Sequence, residues 1–351
     1  MRLFRWPPER TLVVAELSAN HGGSLQQALD TIAAAADAGA DAIKIQTYTP
    51  DTLTLDCDRP EFRITEGPWA GKTLHELYQE AHTPWSWHAE LFAAAQRAGV
   101  PMFSTPFDAN AVELLESLGA PAYKVASFEI TDLELLRRVA QTRKPVILST
   151  GMATLAEIAT AVATIRQVWA GQDHGIGLLR CVSAYPADPA DVHLATIPHL
   201  GQTFAAVPGL SDHTLGTAVA VGAVALGARI VEKHFILSRR LGGPDSSFSI
   251  EPDEFRALVR DVRTVERALG EIRYGPTTGD RPNLRFRRSI FVVRDVVAGQ
   301  PLDRTHVRVI RPGDGLPPSA LPLVLGRRAL RDLSRGTPLR ADMVEGLEHM
   351  V

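Results

Sequence analysis

Residues 209–235 read GLSDHTLGTAVAVGAVALGARIVEKHF, and the order of textures within them decides the fold. A short apolar run ends at Ser211, Asp212 and His213, an Ala- and Val-rich helical stretch fills 217–226, and after Gly227 the β-branched run RIVEKHF begins. A helix that stops at glycine and returns at once to a strand is a β-α-β unit, whose strands run parallel. The same unit recurs outward from this segment. Candidate strands lie at 11–17, 41–47, 101–105, 122–127, 145–150, 176–184, 204–211 and 229–235, eight in all. Helical stretches at 25–38, 86–98, 109–118, 133–141, 155–170, 217–226 and 253–269 alternate with them, and the crossover near 191–200 is the weakest. Eight strands, each followed by a helix, over about 270 residues predict an α/β fold, a (β/α)8 TIM barrel with its catalytic groups at the carboxyl ends of the strands. A doubly wound open sheet is the competing layout. The Gly22-Gly23 pair after the first strand is not GxGxxG, so a dinucleotide fingerprint is missing.

The chain has 351 residues, which at roughly 150 per domain leaves room for a small second domain beside a barrel. Its 45% hydrophobic and 22% charged residues exclude disorder as the main state. With 37 Lys+Arg against 40 Asp+Glu the net charge is −3, so no general field attracts nucleic acid or an acidic membrane. The longest uncharged, mostly apolar stretch, 217–228, has 12 residues where a membrane-spanning helix needs about 20. The start MRLFRWPPER shows no export signal, so a cytoplasmic location is expected. Two cysteines, Cys57 and Cys181, exclude a disulfide framework or a cysteine-rich zinc site, and any metal must rest on His and carboxylates. After Gly270 the chain becomes rich in Arg, Gly and Pro, which predicts a barrel over 1–272, a linker over 273–288 and a small, mostly β domain over 289–351. At about 60 residues that domain has a thin core and is expected to lean on another surface. The long excursion 50–81 follows the second strand on the catalytic side, and read as a structureless loop it is a candidate lid.

Chemistry is expected where polar residues interrupt apolar strands. These are Glu16; Lys44 and Gln46; Ser104 and Thr105; Lys124, Ser127 and Glu129; Ser183 and Tyr185; Ser211, Asp212 and His213; Glu232 and His234. Residues two apart on a strand share a face, and a buried Lys or Glu is costly unless paired, so these are poor candidates for mere core. His213 and His234, on neighbouring strands, would converge either on a divalent cation with open positions or on a polar network at the barrel mouth. Lys44 and Lys124 with Ser127, Ser183 and Ser211 suit a phosphate or carboxylate, or else pair with Glu16, Glu129 or Glu232 for stability. Asp245, in the turn 242–245, would bind substrate hydroxyls or fix its turn, and Arg311 stands on a glycine-rich turn of the small domain. The aromatics of AHTPWSWH, 81–88, would wall a sugar pocket or pin the loop down.

The ordered motifs AELSANHGG, KIQTYTPDTLT, STPFD, YKVASFEI, STGMA, SAYPA, GLSDHT, VEKHF, GGPDSSFS, RRSI and RPGDG resemble the sialic acid synthase family from end to end. Within it, AHTPWSWH, ASFEI, SAYPA and LGGPDSSFS look most like the pseudaminic acid synthase branch. The resemblance implies a (β/α)8 barrel joined to a C-terminal antifreeze-like (SAF) domain. It also implies condensation of phosphoenolpyruvate with an acetamido sugar, here 2,4-diacetamido-2,4,6-trideoxy-L-altrose, to a nine-carbon 2-keto acid and phosphate. Carried over by motif, His213 and His234 would ligate Mn2+, with Mg2+ or Co2+ as alternatives, and Lys44, Lys124, Ser127, Ser183 and Ser211 would hold phosphoenolpyruvate. Neuraminate members of the family commonly show Asn where Ser183 stands. Glu16 would handle protons of the attacking water, and Gln46, Thr105, Glu129, Tyr185 and Asp245 would orient the sugar. The resemblance further implies a domain-swapped homodimer in which Arg311 reaches the partner's substrate. The competing readings are an N-acetylneuraminate or legionaminate synthase, a Schiff-base aldolase working through Lys124, and an inert carbohydrate-binding barrel.

Overall fold

The computed structural model describes residues 4–347, and all eight expected strands are present in it. β1 (Leu12–Glu16) leads through α1 (Leu25–Asp37) to β2 (Ala42–Thr47), and an excursion follows with α2 (Pro50–Leu53), α3 (Leu74–Ala81) and α4 (His88–Arg97). Then come β3 (Met102–Pro106), α5 (Ala109–Ser117), β4 (Tyr123–Val125), α6 (Leu133–Ala140), β5 (Val146–Ser149) and α7 (Leu155–Trp169). The circuit ends with β6 (Ile176–Cys181), α8 (Thr196–Phe204), β7 (Val207–Asp212), α9 (Ala218–Ala225), β8 (Ile230–His234) and α10 (Pro252–Leu269). The strands pair in sequence order, and β1 pairs with β8 to close a parallel barrel, which excludes the open sheet.

Helix starts follow from side chains that accept orphan backbone N–H groups. Ser24 caps α1, Asp108 caps α5, and Thr154 with Glu157 forms a capping box at α7. The outward faces of the strands and the inner faces of the helices bury Ile32, Ile43, Leu91, Val139, Leu178 and Phe255, among others. Inside the barrel a separate floor is made by Val14, Ala42, Phe103, Ile147, Leu179 and Ile230. Phe4 and Trp6 pack under that floor. A Cβ on Gly175 would lie 2.0 Å from the Trp6 ring nitrogen, so this strand entry admits only glycine.

Two expectations need correction. The run 204–211 is not one strand: Phe204 ends α8 buried in the core, Ala205 closes the helix in the left-handed region at φ 47°, and β7 starts at Val207. An apolar run that holds both a buried helix end and a strand has no single period to separate them. The excursion 50–81 is not structureless either. It carries α3, started by a Thr73–Glu76 capping box, and a strap in which Arg63 and Thr73 pair as an antiparallel bridge.

The chain divides into two compact units, the first ending at Gly270 and the second starting at Glu271. In the second, β9 (Ser289–Val292) and β10 (Val307–Ile310) form an antiparallel pair, α11 (Leu321–Val324) follows, and the piece 324–330 makes only isolated bridges. Ile290, Val292, Val296, Leu302, Val307, Val324 and Leu339 give this unit a core of its own. The RPGDG turn is pinned by Ser289, whose hydroxyl donates to Pro312 O (2.7 Å) and accepts from Gly315 N (2.9 Å), while Arg311 is exposed. No helix among the described residues is long and apolar enough to cross a membrane.

Candidate active site

Strand register sets the site. Glu16 lies beside Lys44 on β2 and beside His234 on β8; Gln46 faces Thr105; Ser211 lies between Cys181 and Glu232. Most strands therefore contribute an apolar residue to the floor and a polar one above it. The polar layer encloses a cavity lined by Glu16, Lys44, Gln46, Thr105, Lys124, Ser127, Ser149, Cys181, Tyr185, Ser211, His213, Glu232 and His234. Of the fourteen residues to which the motif resemblance gave a role, ten meet there, and Glu232 joins them. The other four stand apart: Ser183 and Asp245 contact lining residues, Glu129 sits one turn beyond β4, and Arg311 belongs to the second unit.

Lys44 is the electrostatic hub. Its Nζ lies 2.7 Å from Glu16 Oε2 and 3.5 Å from Glu232 Oε1, and it donates to Thr105 Oγ1 at 3.1 Å. Gln46 donates to Glu16 Oε1 (3.0 Å) and to Ser18 Oγ (2.9 Å), so its amide and the Glu16 carboxylate are locked together. Burial pushes the Glu16 carboxyl above its ordinary range, against the pull of Lys44, whereas at Glu232 the cations Lys44, Lys124 and His213 outweigh burial and lower it. Two carboxylates around one ammonium are thus driven apart, which leaves Glu16 the better proton holder of the two. Burial also lowers Lys124 and raises Glu129 to about 7, with Lys124 opposing.

An anion cradle lies beside this hub. Lys124 Nζ donates to Ser149 Oγ (2.6 Å) and to Val125 O (3.1 Å), and Ser127 Oγ accepts from Gly151 N at 3.1 Å. Ser183 Oγ is buried with no hydrogen-bond partner. Both serine oxygens would lie 2.7 Å from a Cβ at Gly151, so the hydroxyls close in on a position that has no side chain. An unpaired buried hydroxyl is rare, and one at the edge of a cavity that holds an ammonium suits the oxygen of a bound anion.

The two histidines have centroids 5.3 Å apart. His213 Nδ1 donates to Val182 O (2.7 Å), so the ring in its neutral form carries the lone pair on Nε2, while against burial its contacts with Cys181 and Val182 O raise its pKa and make that nitrogen a good proton or cation acceptor. His234 is buried with no hydrogen-bond partner at Nδ1, since Asp245 Oδ2 at 3.6 Å is too far. Burial and the nearby cations hold His234 well below its ordinary value, so it is a neutral imidazole. A tautomer-fixed imidazole beside an orphaned neutral one fits two ligands of a divalent cation. Among the described residues no third His, Cys, Asp or Glu joins them in a cluster, so further ligands would be oxygens of substrate or water. Tyr185 stacks at 4.4 Å from His213, and Phe248 lies 5.0 Å from both Tyr185 and His234, which covers the pair with aromatic rings.

Sequence reading missed Ser149, Gly151, Cys181 and Phe248 as site residues. Ser149 was findable, because it interrupts β5 as the other polar residues interrupt their strands. Gly151 carries no signal, since its contribution is an absent side chain.

Comparison with known proteins places the chain in a family. A family model described as the NeuB family matches residues 31–274, and one for the SAF domain matches 287–345. A pseudaminic acid synthase of Helicobacter pylori is 43% identical over 97% of this chain and 98% of its own. An N,N'-diacetyllegionaminic acid synthase of Legionella pneumophila is 35% identical over 95% and 94%. Among solved structures, an N-acetylneuraminic acid synthetase of Leptospira borgpetersenii in complex with citrate superposes with a TM-score of 0.69 at 32% identity, covering 80% of this chain and 92% of that one. Barrel and small domain agree with the motif resemblance, and the chain belongs to the NeuB family of sialic acid synthases, with a SAF domain following the barrel.

Proposed function

We propose that the chain is a pseudaminic acid synthase, condensing phosphoenolpyruvate with 2,4-diacetamido-2,4,6-trideoxy-L-altrose to give pseudaminic acid and phosphate. The observation that carries this reading is full-length identity of 43% to a pseudaminic acid synthase, against 35% to a legionaminic acid synthase. Lys44 and Lys124, with Ser127, Ser183 and Ser211, hold the phosphate and carboxylate of phosphoenolpyruvate, and Ser149 adds a fourth hydroxyl through Lys124. Gln46, Thr105, Tyr185, Glu129 and Asp245 orient the open-chain sugar. Mn2+, or Mg2+ or Co2+, held by His213 and His234, would act as a Lewis acid on the aldehyde oxygen.

The bond forms between the methylene carbon of phosphoenolpyruvate and the aldehyde carbon. Water then adds at C2, and the tetrahedral adduct collapses as its bond to the phosphate oxygen breaks. Glu16, kept prone to protonation by burial, takes one proton of that water, which balances the proton the aldehyde oxygen gains in becoming a hydroxyl, and the other passes from the C2 hydroxyl to the departing phosphate as the ketone forms. Holding two substrates and a water in register is the main catalytic task, and it suits a rigid ring of strand ends. The reading includes a cytoplasmic enzyme acting as a homodimer, in which the SAF domain of one copy brings Arg311 to the substrate of the other.

The test is phosphate release from phosphoenolpyruvate with Mn2+, offering the diacetamido-trideoxy-altrose, N-acetylmannosamine and the legionaminate precursor in parallel. Turnover with the first alone, lost on chelation, is the expected result. Preference for another sugar moves the branch, and release with none in folded, metal-loaded protein revives the inert-barrel reading.

A further inference from the structure

The strap inside the 50–81 excursion ends over the site. Its two sides are tied by Ile64 N to Lys72 O and Gly71 N to Ile64 O, both 2.9 Å, besides the Arg63–Thr73 bridge. At its tip the half-buried Trp69 donates from Nε1 to Pro244 O at 2.9 Å, in the loop after β8. Its ring also lies 5.5 Å from Tyr185, in the loop after β6. Loops from three strands thus meet through one indole. Because the ring nitrogen is held by Pro244, the polar edge of Trp69 is used up, and what it adds beside Tyr185 is apolar surface.

We propose that Trp69 is a specificity-determining residue that selects acetamido sugars with a deoxygenated, methyl end over sugars bearing a hydroxymethyl group there. The inference rests on the reading given under Proposed function. With the aldehyde at His213 and His234, the distal carbons of the open chain run outward past Tyr185, and the next ring in that direction is Trp69. A methyl group against an indole gains contact and loses no hydrogen bond. A hydroxyl against the Trp69 face must leave water for a ring whose nitrogen is already held by Pro244, which weakens binding of the hydroxymethyl sugar.

The experiment measures steady-state phosphate release by the full-length wild type, Trp69→Ala and Trp69→Phe. The sugars are 2,4-diacetamido-2,4,6-trideoxy-L-altrose, the same sugar with a 6-hydroxyl, and, for the wild type, N-acetylmannosamine. In Trp69→Ala the KM for the deoxy sugar should rise about tenfold, the preference for it over the hydroxylated sugar should fall about tenfold, and the KM for phosphoenolpyruvate should stay within about twofold. Trp69→Phe should keep most of the preference. A preference unchanged in Trp69→Ala, or an equal loss toward both substrates, overturns the inference while leaving the proposed function standing. A wild type that favours N-acetylmannosamine overturns both.

Discussion

Gly151→Ala adds one methyl group where the anion cradle has least room. No left-handed backbone requires glycine there, so the change acts through space alone: the new Cβ would meet Ser127 Oγ and Ser183 Oγ at 2.7 Å each. Hydroxyl tips move easily, and both serines are expected to turn away. Turning Ser127 breaks its bond to the Gly151 N–H, which leaves a buried donor unpaired at about 1–3 kcal/mol of stability. The same movement takes hydroxyls away from the phosphate. One lost hydrogen bond to a charged group is worth about 1.5–3 kcal/mol, which is about 10- to 150-fold in apparent affinity. The expectation is therefore a KM for phosphoenolpyruvate at least tenfold higher, a KM for the sugar within about twofold, and a barrel that still unfolds cooperatively. Steady-state phosphate release with each substrate varied in turn measures the split, and denaturant unfolding measures the stability. A KM for phosphoenolpyruvate unchanged in Gly151→Ala would refute the assignment of Ser127 and Ser183 to the anion.

Three further outcomes follow, the first two from buried groups. His88 Nε2 accepts from Thr47 Oγ1 (2.9 Å) and its Nδ1 donates to Pro84 O (3.2 Å), and burial lowers its pKa to about 4. Because the unfolded chain takes up this proton near pH 6.5 and the folded one only near 4, stability should fall by up to about 3 kcal/mol between those values. His88→Gln should flatten that part of the stability-versus-pH curve, and an unchanged slope would show that His88 does not set it. Lys233, fully buried, donates to Asp212 Oδ2 (2.8 Å) and Thr214 O (2.6 Å) on either side of His213. Lys233→Met should cost about 3–5 kcal/mol in urea unfolding and Lys233→Met/Asp212→Asn less, because the double change leaves no unpaired buried charge; equal losses would contradict this. For the cross-subunit role, coexpressed Arg311→Ala and His234→Ala chains should regain activity that each lacks alone, since mixed dimers hold one intact site. No regain would place Arg311 outside the site.

The barrel was legible because strand and helix differ in period and because glycine closes so many of its helices, as Gly39, Gly99, Gly119 and Gly227 do with positive φ. Legibility failed where the period was missing. Phe204 to Ala206 looked like strand because both a helix end and a strand can be apolar there. The strap around Trp69 has no period at all, although Thr73 and Glu76 spell the start of α3 in a capping box. The opening segment read only as lacking an export signal, yet Phe4 and Trp6 pack beneath the barrel floor and explain the glycines at 175 and 177.

The site divides along the same line. Inside a barrel every inward position is buried, so a charge there is costly unless it is paired or used, and Glu16, Lys44, Lys124 and His234 stand out from the sequence for that reason alone. Pairing and use are not exclusive here: Lys44 satisfies Glu16 and Glu232 while the cavity opens onto it, so one ammonium both stabilises the barrel and remains available to an anion. At the mouth that logic lapses, because an exposed or half-buried aromatic carries no comparable penalty and its meaning depends on what it touches. Trp69 becomes informative only through Pro244 and Tyr185, contacts across 175 and 116 positions of sequence. The chemistry common to the family therefore sits in the inner, legible layer. The outer layer, to which the proposed sugar discrimination by Trp69 belongs, is set by loops whose pairing only the folded chain reveals.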